Sequence, residues 1–121
     1  MCLKTEKFTK KISKSYYIKK RVYDLGITDN YIGYYYLIDI LDIIINKQKS
    51  IRCFSKEVYP NLAEKYNTND CTIERNIRNI IKVNWEINLK HKLKNFWRDN
   101  SRPTCCKFIY IVKNYVLSDL A

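Results

Sequence analysis

Residues 58–85 read VYPNLAEKYNTNDCTIERNIRNIIKVNW, and how this stretch winds decides what the rest of the chain must do around it. From Cys71 onward, Ile73, Ile77, Ile80 and Ile81 follow one another in steps of four, three and one. At about 100° per residue these steps keep the four side chains within an arc of about 100°, the buried stripe of an amphipathic helix. Arg75, Arg78, Asn79 and Lys82 wind to the opposite side, with Glu74 at the flank.

The residues before this helix predict another. Pro60 lacks an N–H and fits only a first turn or a kink, while Val58, Leu62, Ala63 and Tyr66 keep helical spacing. Asn67 tolerates the left-handed conformation that ends a helix, and Thr68 or Asp70 can cap the next one. Two helices joined by so short a turn, with the small Ala63 where they cross, form a helix-turn-helix pattern. In such a unit the second helix enters the major groove of duplex DNA. An arginine fork matches guanine, asparagine matches adenine, and a carboxylate accepts from cytosine. Glu74, Arg75, Arg78 and Asn79 are therefore candidate base readers, and Thr68, Thr72, Lys82 and Lys56 are candidates for phosphate or helix-start contacts. The plainer use of the same face is a solvated surface, in which Glu74 and Arg78 form an i,i+4 pair worth a few tenths of a kcal/mol.

Working outward, residues 30–46 are apolar on nearly every side, which suits a central helix contacted all round, with Asp29 or Asn30 as its cap. Core packing with the hydroxyls reaching the surface is the expected use of Tyr34, Tyr35 and Tyr36. Ser15 to Leu25 predicts a first short helix with Tyr16 or Tyr17, Val22 and Leu25 on one face, stopped by Gly26. Ser55 is a candidate cap after the basic connection KQKSIR. Turn formers gather from Asp99 to Pro103. The last run, KFIYIVKNYVLSDL, has length and spacing for a closing helix, with a strand as the alternative. With only two glycines and two prolines and no repeat, the expected class is all-α: a compact bundle of about six helices containing the helix-turn-helix, over residues 15–121, preceded by a basic arm at 1–14.

Across 121 residues, 23 Lys and Arg stand against 12 Asp and Glu, a formal net charge of +11 that favours polyanionic partners. Five cysteines without CxxC spacing and a single histidine offer little for a metal site, so no metal and no cofactor is expected. Cys71, Cys105 and Cys106 have no positioned base, which argues against an enzyme. The N-terminus lacks the apolar core of a secretory signal. The stretch YIGYYYLIDILDIII is interrupted by Asp39 and Asp42 and is too short for a bilayer, so a soluble cytoplasmic protein without membrane contact is expected.

From about Gly26 to Leu117 the chain resembles the C-terminal DNA-binding domain of the stage zero sporulation protein A response regulators. The residues that carry the likeness are GYYYL at 33–37, VYPNLAEKYNT at 58–68, IERNIRNIIKVNW at 73–85 and RPTCCKFI at 102–109. The resemblance implies a bundle of about six helices that binds promoter boxes in double-stranded DNA, with Glu74, Arg75 and Arg78 at base edges. It also implies RNA polymerase and a second copy, as a homodimer or tandem pair on DNA, as candidate partners. Such regulators carry a receiver domain upstream, for which 121 residues leave no room, so a stand-alone regulator is expected. The alternative is a truncated paralogue that pairs with the full-length regulator and modulates it. Cys71, Thr72 and Asn79 depart from the serine, arginine and histidine usual in that family, which predicts a cap moved to Asp70 and an altered box.

Overall fold

The computed structural model describes residues 15–46, 54–99 and 101–118. The expected basic arm at 1–14, the connection KQKSIR, Cys2 and Cys53 lie outside the described residues. Helix α1 covers residues 15–24, followed by α2 Ile32–Asn46, α3 Phe54–Glu57, α4 Tyr59–Lys65 and α5 Asp70–Asn84. A π-helical turn at Trp85–Leu89 carries α5 into α6 Lys90–Lys92, and α7 Cys105–Ser118 closes the chain. Every regular element among the described residues is helical, and the final run is a helix rather than a strand. With α5, the π turn and α6 running on without a break, the described residues form six helical bodies, in line with the bundle of about six expected.

Helix α2 is the central element. It packs on α5 and α7, which also pack on each other. Its residues Leu37, Ile40 and Leu41 are fully buried, as are Ile73, Ile77 and Ile80 of α5 and Phe108, Val112 and Val116 of α7. Burial of each such side chain contributes about 1.5–3 kcal/mol, which is why a basic chain of this size still closes a core. Tyr34 and Tyr36 are buried, while Tyr35 is half exposed. Tyr36 meets Tyr66 edge to face at 5.0 Å, and the Tyr66 hydroxyl donates to Asp39 Oδ2 at 2.5 Å. Burial, then this bond, then the Asp39 charge raise the Tyr66 pKa.

Helix α1 docks through Ile18, Val22 and Leu25. Of the two tyrosines expected on that face, Tyr17 packs against the core whereas Tyr16 is exposed, and Ile18, one turn before Val22, takes the fully buried position. The Arg21 guanidinium lies 4.0 Å over the Tyr115 ring and donates to the Tyr115 carbonyl at 3.2 Å, tying α1 to α7. Gly26, with φ of 86°, ends the first segment as its residue type predicts. Two expected caps are corrected. Helix α2 begins at Ile32, beyond Asp29 and Asn30, and the turn before it is made by Thr28, which accepts from Tyr31 N at 3.1 Å and Asn30 N at 3.4 Å. Ser55 falls inside α3 rather than before it.

The tightest approach in the bundle is between α2 and α5. A β-carbon placed on Gly33 would stand 2.7 Å from the Asn76 carbonyl oxygen and 2.8 Å from Ile80 Cδ1. Gly33→Ala is expected to force the two helices apart and to cost about 1–3 kcal/mol, as overpacking does. Thermal unfolding checks this: an unchanged midpoint would show that the helices separate without loss.

Candidate nucleic-acid interface

The helix-turn-helix is built by two local devices in sequence. At the end of α4, Asn67 takes a left-handed φ of 54°. This lets Thr68 N donate to the Ala63 carbonyl at 2.8 Å and Asn67 N to the Glu64 carbonyl at 3.3 Å, a Schellman closure that turns the chain sharply. Pro60 sits in the first turn of α4, where its missing N–H costs nothing. Ala63 is buried behind it.

The cap of α5 is Asn69, not Asp70 or Thr68. The Asn69 side chain accepts from Thr72 N at 2.9 Å and from the Thr72 hydroxyl at 3.0 Å. Thr68 is committed to the Schellman turn through its backbone. Asp70 occupies the first helical turn, where its charge faces the positive end of the helix dipole. Cys71 stands exposed beside it.

From this capped start, α5 divides as its periodicity predicts. Ile73, Ile77, Ile80 and Ile81 are buried, whereas Arg75, Arg78, Asn79 and Lys82 are exposed and Glu74 is half-buried. Glu74 accepts from Arg78 at 2.7 Å across one turn. Arg75, Asn79 and Lys82 have no side-chain hydrogen bond or ion pair to other described residues. Asn76, between the two arginines, turns its amide back to the Thr72 carbonyl at 2.8 Å and is no part of this face. The structure thus places Glu74, Arg75, Arg78, Asn79 and Lys82 on one helix. Thr72 sits at the helix start with its hydroxyl held by the cap. Lys56 is exposed on α3, which packs on α4, one element removed.

Alongside α5 lies a feature that sequence reasoning missed. The turn before α7 approaches the outer flank of α5 and encloses a cleft of about 270 Å³, lined by Arg78, Lys82, Arg102, Pro103 and Thr104 among others. Its one sequence signal was an arginine, a proline and a helix-capping threonine in succession before a helical run. Cys105 closes the inner wall, its thiol donating to the Glu74 carbonyl at 3.7 Å. Burial pushes the Cys105 thiol pKa up, with Arg78 opposing, so the group is a protonated packing residue at neutral pH rather than a nucleophile.

Among the described residues, no group of three or more His, Cys, Asp or Glu side chains is arranged to hold a metal ion. No described helix is long and apolar enough to cross a membrane. Compared with known protein families, residues 18–116 match the model described as sporulation initiation factor Spo0A C terminal.

Two outcomes follow from the local chemistry. Asn69→Ala is expected to cost about 1 kcal/mol by removing the cap, and Asp70→Asn at most half that, through the helix dipole; chemical denaturation of both variants checks the order. In the native protein at pH 8, iodoacetamide should alkylate Cys71 well before Cys105, as read by peptide mass mapping, and labelling at equal rates would contradict the burial of Cys105.

Proposed function

Since the chain belongs to the Spo0A C-terminal family of helical DNA-binding effector domains of sporulation regulators, we propose that these 121 residues suffice for sequence-specific binding of duplex DNA and act as a transcription regulator. Helix α5 lies in the major groove. Glu74, Arg75, Arg78 and Asn79 read base edges, and Lys82, one turn further along, meets phosphate.

The observation that carries this is the unspent polar face of α5. Arg75, Asn79 and Lys82 project from a helix whose other side is wholly buried, and the Asn69 cap and the Asn67 turn hold its first turn against α4. The N-terminal turns of a recognition helix are the part that reaches base edges. The Arg75 guanidinium fork, which makes no ion pair or side-chain hydrogen bond with other described residues, matches guanine. Arg78 enters from its pair with Glu74, which in water is worth only a few tenths of a kcal/mol and exchanges readily for a base contact.

Thr72 and Asn79 bear on the choice of box. With the Thr72 hydroxyl held by Asn69 at 3.0 Å, Asn79 is the exposed residue left to add adenine recognition beyond the arginines.

Selection of bound sequences from random duplexes should yield a defined box. Arg75→Ala and Arg78→Ala are each expected to relax the preference at one position, by about 1–3 kcal/mol. Lys82→Ala should weaken all duplexes alike and reduce the slope of log affinity against log salt by about one. Equal retention of the selected box and a scrambled duplex by the unmodified protein would falsify sequence-specific reading.

A further inference from the structure

We propose that the cleft between α5 and the turn before α7 is a second DNA-binding element, in which Arg102, with Lys82 and the Thr104 hydroxyl, grips a backbone phosphate at the edge of the groove that α5 occupies. This assignment rests on the reading that α5 enters duplex DNA. It adds a contact supplied by residues far from the helix-turn-helix in sequence.

The cleft has the chemistry of an oxyanion site. Three cationic side chains, Arg78, Lys82 and Arg102, line it, and among the described residues no acidic one does. Neither Lys82 nor Arg102 makes an ion pair or side-chain hydrogen bond with other described residues. Their charges face the same hollow, and no acidic side chain among the described residues lines it to offset them. Thr104 accepts from Lys107 N at 3.3 Å through its hydroxyl oxygen, which leaves the hydroxyl proton free to donate.

The geometry selects phosphate over base edges. An α-helix with its side chains is about 10–12 Å across and fills a major groove about 12 Å wide. Whatever stands beside such a helix therefore meets the sugar-phosphate rail. Arg102 stands beside α5 rather than on it, on the flank reached by Arg78 and Lys82.

The turn is also held in place before any ligand arrives. Trp97 Nε1 donates to the Ser101 carbonyl at 2.8 Å, and Ser101 N donates to Asp99 Oδ1 at 3.1 Å. Pro103 is buried, and Cys105 is tied to α5 at the Glu74 carbonyl. Little order remains to be imposed on this backbone when phosphate binds, which preserves binding free energy. The exposed Arg102 side chain contributes nothing to the core, so its removal leaves the fold intact.

The test uses the full chain and titrates a selected box and a scrambled duplex by fluorescence anisotropy across a series of salt concentrations. Arg102→Ala is expected to weaken both duplexes by a similar factor, on the order of 5- to 10-fold near 0.1 M salt, and to reduce the log–log salt slope by about one, with an unchanged melting temperature. Arg102→Lys should restore the slope. Unchanged affinity and slope in Arg102→Ala, while Arg75→Ala still loses discrimination, would overturn the clamp and leave the role of α5 standing. Loss of sequence preference at constant slope would overturn it too, since Arg102 would then be reading a base. Inorganic phosphate at matched ionic strength should displace the duplex no better than chloride; tight binding of free phosphate without DNA would mark a small-anion site instead. Failure of the unmodified protein to bind any duplex would remove both proposals together.

Discussion

At Gly33 one helix backbone rests directly on another. With 2.7 Å between a β-carbon there and the Asn76 carbonyl oxygen, no other residue type lets α2 lie so close to α5. That approach draws Ile73, Ile77 and Ile80 of α5 fully out of water against Leu37, Ile40 and Leu41 of α2. Because α7 packs on both helices, three bodies meet around one line. Helix α5 is thereby held from behind, and its outward face is left to solvent.

That separation sets the electrostatics of the surface. A chain with a formal charge of +11 gains nothing in stability from its excess cations, which repel one another. On α5 the cations stand on the solvent side, and one of them, Arg78, is relieved by Glu74 at 2.7 Å. Arg102 adds a charge from another part of the chain to the same flank. A polyanion lying along α5 would relieve this repulsion.

Much of this was legible from local chemistry. Gly26 and Asn67 reveal themselves because few residues accept a positive φ, and Pro60 because it has no N–H to lose. The two faces of α5 follow from the 3.6-residue period alone. The cap was not legible, since Thr68, Asn69 and Asp70 are three consecutive residues that can each cap a helix. Which one does so depends on where the Schellman turn of α4 releases the chain, and that turn consumes Thr68 N. The π turn was hidden for a different reason. Ile81, Trp85, Leu89 and Leu93 are all buried at strict intervals of four. Such steps drift about 40° each around an α-helix, so an unbroken α-helix would carry the later ones off the core. A wider turn at Trp85–Leu89 takes up the drift.

The sequence by itself determined the helical class, the two-sided character of α5 and the residues on its outward face, because each depends on periodicity or on backbone freedom within a few residues. Only the tertiary structure decided that Asn69 is the cap, that α5 continues through a π turn into α6, and that Arg102 and Thr104 stand beside Arg78 and Lys82. These depend on where distant segments come to rest. Residues 78 and 102 share a cleft because α7 is anchored on α5 and α2, and no pattern along the chain encodes the side on which that anchoring brings the turn.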